Sequence, residues 1–252
     1  VDMFLDASIG VQRDQRFYKV VLEGDEPNTN AVYGVIRRPI KPQNYTMLSP
    51  PLRSDMKFNG IMGAELAAAL TGHNGGVGDG IGDEVYLLQP NGSWRILFLD
   101  GSKRWRESDG QISTYQLNPG QAFFVARHDG SETKATFTGS VGNDGTRTNH
   151  VVTGWNMIGL SEGKPVSVQK AFSTMAAGRP YGGAYEEDAD LIAIYTTNNI
   201  WRRLMYVDGW GAPYDGKWFD LTTFNISTYE VQPGDALYYY RHPSAGEMKV
   251  IY

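Results

Sequence analysis

An all-β fold is predicted, made of two tandem copies of a β-sandwich- or barrel-like module with one short helix each, preceded by an N-terminal strand-like extension. Three observations predict it. The first is an internal repeat: Ile112-Ser113-Thr114-Tyr115-Gln116-Leu117-Asn118-Pro119-Gly120-Gln121-Ala122-Phe123-Phe124-Val125-Ala126-Arg127-His128 aligns without a gap on Ile226-Ser227-Thr228-Tyr229-Glu230-Val231-Gln232-Pro233-Gly234-Asp235-Ala236-Leu237-Tyr238-Tyr239-Tyr240-Arg241-His242, with about half of the positions identical. The second is a succession of short apolar runs punctuated by turn residues. The third is composition: 30 glycines, 15 tyrosines and 6 tryptophans, with few stretches of good helix formers, favour short strands and tight turns.

The repeat extends in both directions. Asp83-Glu84-Val85-Tyr86-Leu87 followed by Trp94-Arg95 matches Asp190-Leu191-Ile192-Ala193-Ile194 followed by Trp201-Arg202, with the same spacing from Asp to Trp. Glu132-Thr133-Lys134 answers Glu247-Met248-Lys249, and Tyr45-Thr46-Met47-Leu48 pairs with Trp155-Asn156-Met157-Ile158. Copy one therefore covers about 31–141 and copy two about 150–252, while residues 1–30 have no counterpart.

Each copy opens with an apolar strand, at 45–48 and 155–160, followed by a helix-compatible stretch at 63–70 and 165–177, where Val166, Val168, Ala171 and Phe172 are read at helical spacing. Strands at 84–88 and 93–99 flank Asn91-Gly92, a hairpin signal expected to supply two positive φ angles; 191–195 and 200–207 flank Asn198-Asn199 in the same way. Asn118-Pro119-Gly120 and Gln232-Pro233-Gly234 read as type II turns, Pro fixing the first central φ and Gly taking the positive second one. They feed strands at 122–127 and 236–241, and last strands at 134–137 and 248–252 close the copies.

A chain of 252 residues without cysteine has no disulfides and no thiolate chemistry, and is long enough to bury a core without them. With 23 basic against 28 acidic residues the net charge is −5, and no basic block is present to track phosphates, so nucleic acid is not expected as a partner. No apolar run has the length of a membrane span, and Val1-Asp2-Met3-Phe4-Leu5-Asp6 does not read as a signal peptide.

Gly154-Trp155-Asn156-Met157-Ile158-Gly159-Leu160, followed by a Trp strand and a Pro-Gly-x-Ala-aromatic strand, resembles the GWNLIGLP β-repeats of secreted and surface-anchored bacterial proteins. Copy one carries Tyr45-Thr46-Met47-Leu48-Ser49-Pro50 in that place, and Ser161 stands where the family often has Pro. The resemblance implies an extracellular or cell-surface β-module, in its mature form after signal removal, and transfers no catalytic residue.

Four sets of residues compete as sites. The strand-like segments of the extension, with Val1, Met3, Phe4, Leu5, Phe17, Tyr18 and Val20, either cover their own sheet or add to the edge of a neighbouring subunit. The first is the default for these strands. The leading expectation for the chain is a self-assembling structural protein, a filament or surface-layer subunit with copies of itself as partners and no enzymatic role, with the second course as one route to assembly. Trp105, Trp210 and Trp218, in polar excursions, and Tyr239, alone on its face of the tyrosine run, are expected to be exposed and able to stack on a polysaccharide. Trp94 and Trp201, on strands, are expected in the core. Asp79, Asp83 and Glu84 in one copy and Glu187, Asp188 and Asp190 in the other collect carboxylates at matching places; a solvated acidic turn is the default reading and calcium the alternative, and no other cofactor is expected. Gly159-Leu160-Ser161-Glu162-Gly163 fits the nucleophile elbow of a serine hydrolase, but that turn needs a parallel α/β sheet behind it. His128 and His242, at equivalent strand ends, suit a shared structural role.

Overall fold

The computed structural model describes residues 3–4, 15–20, 31–78, 82–118, 120–141, 148–159, 165–172, 179–195, 200–246 and 248–251. In chain order the strands are β1 (Met3–Phe4), β2 (Gln15–Val20), β3 (Ala31–Ile40), β4 (Asn44–Leu48), β5 (Glu84–Leu88), β6 (Trp94–Leu99), β7 (Trp105–Glu107), β8 (Phe123–Arg127), β9 (Thr133–Val141) and β10 (Thr148–Val151), then β11 (Gly154–Gly159), β12 (Val166–Ser167), β13 (Leu191–Tyr195), β14 (Trp201–Val207), β15 (Lys217–Asp220), β16 (Asn225–Ile226), β17 (Glu230–Val231), β18 (Ala236–Arg241) and β19 (Met248–Ile251). Helix α1 spans Ile61–Ala68 and α2 Val168–Ala171.

The duplication is visible in the topology. Copy one forms a sheet in the order β4-β8-β5-β6-β7; copy two forms β11-β18-β13-β14-β15-β16, the same order with one short strand added. The paired strands β3 and β9 bracket the first copy, and β10 and β19 bracket the second. All these ladders are antiparallel, and no sheet among the described residues closes into a barrel.

Each main sheet is covered on both faces. In β8, Phe123 and Val125 face one core with Leu48, Leu97, Met62 and Leu66 of α1, and Phe137 of β9. The intervening Phe124, with Ala122 just before the strand, faces the other copy, where with Met47 of its own copy it meets Met157, Ala236 and Tyr238. Strand β18 behaves alike, with Leu237 and Tyr239 inward and Tyr238 toward copy one. A strand buried on both faces has no polar alternation, which is why these segments read as continuous apolar runs.

The contact between copies has a pseudo-twofold character. Ser49 N donates to Gly234 O (3.1 Å), and Gly159 N donates to Gly120 O (2.7 Å). In the repeat alignment Ser49 corresponds to Gly159 and Gly120 to Gly234, so the two bonds are one bond seen from each side. This is the signature of an isologous interface, here made within one chain.

The Pro-Gly turns are as expected where described: Gly120 (φ 75°) and Gly234 (φ 89°) are left-handed, and Gln121 N and Asp235 N donate to the carbonyls of Asn118 and Gln232. The Asn91-Gly92 hairpin departs from expectation. Gly92 (φ 80°) is left-handed but Asn91 is not, and Gly92 N donates to Gln89 O (2.9 Å). Pro90 fixes φ at the first central position, so a type I turn starts one residue early and Gly92 follows as a G1 bulge. Asn198 and Asn199 lie outside the described residues.

Both cores also share an ionic device. Arg95 bonds Glu107 (2.8 Å) while lying over the Tyr115 ring (4.7 Å), and Arg202 bonds Asp220 while lying over Tyr229 (5.6 Å). Burial pushes the Asp220 carboxyl up, but Arg202 and the N–H groups of Thr222 and Thr223 outweigh it and hold the pKa below its ordinary value. A carboxylate depressed in the folded state adds stability above its unfolded pKa and loses it as pH falls through the folded one. The thermal midpoint is therefore expected to drop as pH falls below about 4, and Asp220→Asn to flatten that slope. Calorimetry from pH 6 downward checks it; an unchanged slope in the variant refutes it.

Candidate functional site

The tryptophans change places relative to expectation. Trp105 and Trp218 are fully buried, at 0% and 1% exposure, and Tyr239 at 0%. The reading of these three as sugar platforms is thus corrected. Trp105 pairs with Leu99, whose side chain is in the core, so the cross-strand neighbour inherits the inward face. Its backbone is clamped by Asn59, whose Nδ2 donates to Trp105 O (2.9 Å) and Ser113 O (2.7 Å) and whose Oδ1 accepts from Trp105 N (3.0 Å). Gln169 does the same for Trp218 and Ser227 in copy two. Tyr239 donates its hydroxyl to Asp190 Oδ2 (2.7 Å).

Trp94 and Trp201, expected in the core, are instead 43% exposed each. The strand period explains it: Leu97 and Leu99 set the inward phase of β6, and Trp94 lies at an odd offset from both. Leu204 sets the same phase against Trp201 in β14. Trp155, opposite Tyr240 in the ladder, is 47% exposed.

These three indoles converge at the junction of the copies. They line a groove of about 680 Å³ whose walls are completed by the 90–92 turn, Arg203 and Tyr238. Tyr238 is the hub of its rings: Trp155 lies 5.7 Å from it edge to face, Trp201 5.8 Å and Phe124 5.7 Å, with Trp94 6.1 Å from Phe124. Trp94 and Trp201 occupy equivalent repeat positions, as do Phe124 and Tyr238, so the groove straddles the pseudo-dyad. Burial raises the Tyr238 phenol pKa, which keeps the ring neutral. Arg203, which lines the groove, is held by an ion pair from its Nη1 to Glu186 Oε1 (2.5 Å).

Trp210, the fourth predicted platform, is 42% exposed and lies apart from the groove, propped on Phe219 (5.0 Å) with its Nε1 donating to Ala184 O (2.9 Å).

Asp83, Asp190 and Glu84 bond to the fold itself. Asp83 accepts from Thr71 N and His128 N, both at 2.8 Å. Asp190 accepts from Tyr181 N (2.9 Å), His242 N (2.8 Å), Tyr239 and Arg241 Nη1 (2.6 Å). Glu84 accepts from Gly78 N (2.5 Å) and the Tyr86 hydroxyl (2.6 Å). These oxygens face N–H and O–H donors, which is why the matching positions 83 and 190 both carry Asp. Glu187 and Asp188 sit on a single 3-10 turn, and among the described residues no three His, Asp or Glu side chains are grouped to hold a metal. His128 and His242 close their strand ends through these carboxylates, as expected.

Of the N-terminal segments, β1 pairs with β2 and β2 with β3, Phe17 opposite Gly34 and Tyr18 opposite Tyr33. Within the chain these segments extend the sheet of β3 and β9. Val1, Leu5, Asp79 and Ser161 lie outside the described residues.

Fold and site together define an all-β, internally duplicated protein with an aromatic groove where its copies meet. No family model, curated protein or solved structure matches the chain.

Proposed function

We propose that the chain is an extracellular or cell-surface carbohydrate-binding module that holds pyranose rings in the groove between its copies. One observation carries the reading: three half-exposed indoles, drawn from both copies, surround one concavity. Soluble proteins leave clustered large apolar side chains open to water where a partner covers them, and the groove's volume lies within the usual range of ligand sites. A pyranose fits this chemistry twice. Its axial C–H face is apolar and matches an indole, and its hydroxyls accept from Arg203 while that guanidinium keeps its ion pair with Glu186. A proline-rich peptide, the other ligand of aromatic grooves, offers carbonyls that only accept.

Affinity electrophoresis through gels containing β-glucan, xylan or glycol chitin tests this. Retardation is expected in at least one gel, and Trp201→Ala or Trp94→Ala should weaken binding by about tenfold or more, the usual cost of an aromatic anchor. Because both side chains stand outside the two cores, the thermal midpoint should hold. Retention on none of the polysaccharides, or capture of a proline-rich peptide in their place, overturns the reading.

A further inference from the structure

Trp155 lines a second cavity, also of about 680 Å³, and Leu88 and Pro90 are likewise common to both. The two spaces therefore adjoin at these three side chains. The linings differ. Where the first is walled by indoles, the second is walled by Gln89, Tyr115, Asn118, His150 and Asn156. Asn156 is spent on the backbone, accepting from Val152 N (3.0 Å) and donating to Val152 O, Gly154 O and Tyr239 O, so it fixes the wall beneath Trp155. Tyr115 is fixed by Gln121, whose Nε2 donates to its hydroxyl (2.7 Å). Asn118 and His150 are exposed and present an amide and an imidazole at the rim.

We infer that the ligand is a neutral β-1,4-linked pyranose chain, bound along its length through both cavities with Trp155 at the middle unit. This rests on the carbohydrate reading above and specifies it. Two adjoining cavities, each the size of an ordinary ligand site, together exceed what one sugar fills. Equatorial β-1,4 linkage keeps successive rings in a flat ribbon, so one ring stacks at the indoles while its neighbours bring hydroxyl or acetamido groups to Asn118 and His150. The second wall carries amides, a phenol and an imidazole and no Lys or Arg, which suits uncharged substituents over uronates.

Titration calorimetry with cello- and chito-oligosaccharides of two to six units, and with a hexagalacturonate, tests the inference. Affinity for one of the two neutral series should rise by more than about tenfold from disaccharide to hexasaccharide. His150→Ala combined with Asn118→Ala should remove most of that gain while leaving the disaccharide unchanged, and Trp201→Ala should weaken every length. A disaccharide that binds as tightly as the hexasaccharide, or tighter binding of the hexagalacturonate, overturns the chain inference and leaves the carbohydrate reading standing. No binding at any length overturns both.

Discussion

Asp190→Ala is expected to destabilise the second copy by about 3–5 kcal/mol, the cost of breaking a buried ion pair by removing one partner. The carboxylate is fully buried and accepts four hydrogen bonds, from Arg241, Tyr239 and two backbone N–H groups. Its loss leaves the Arg241 guanidinium buried against the carbonyls of Arg179, Ala245 and Gly246, with no counter-charge. Tyr239 loses its acceptor in the same step. A domain of this size has about 5–15 kcal/mol in total, so the second copy should melt in a separate, earlier transition. The equivalent Asp83→Ala should cost less, because Arg127 stands 4.0 Å from Asp83 and keeps Asp129 at 3.6 Å. Urea unfolding followed by tryptophan fluorescence checks both. An Asp190→Ala protein within 1 kcal/mol of the parent would show that the network contributes little.

Much of this fold was legible because the repeat supplies two readings of the main sheet strands in each copy. The Asp-to-Trp spacing placed β5, β6, β13 and β14, and the Pro-Gly turns placed β8 and β18, since alternation and turn chemistry are local properties. The site was harder to see. Trp94 and Trp201 recur at one repeat position, and recurrence suggests scaffold. The informative signal was instead the phase of their strands, set by Leu97, Leu99 and Leu204, which puts both indoles on the face opposite the core. Trp105 and Trp218 misled in the opposite direction, because polar flanks such as Lys103, Arg104 and Lys217 hide the amide clamps of Asn59 and Gln169, contacts that form across more than forty residues. That the second faces of β8 and β18 meet each other was beyond the sequence altogether. A strand apolar on both sides announces burial without saying against what.

The junction itself carries the second large effect. Ser49 and Gly159 are equivalent positions that face one another across the pseudo-dyad, and a Cβ on Gly159 would lie 1.8 Å from Ser49 Oγ. Two serines cannot occupy this point together. The copies meet this closely because one of them has given up its side chain there, a solution open to a duplicated chain and closed to a symmetric dimer of identical modules. Gly159→Ser restores the symmetric residue and should destabilise the interface by about 1–3 kcal/mol through overpacking. It should also weaken polysaccharide binding, since Trp94 and Trp201 reach the groove from opposite sides of this contact. Its φ lies outside the left-handed region, so the cost comes from space and not from backbone strain. The exchange Ser49→Gly with Gly159→Ser moves the hydroxyl to the other copy and should recover most of the loss. A double-mutant cycle on the four proteins should therefore give a coupling of at least about 1 kcal/mol, as for residues in direct contact. Additive effects of the two substitutions would show that the copies do not meet at this point.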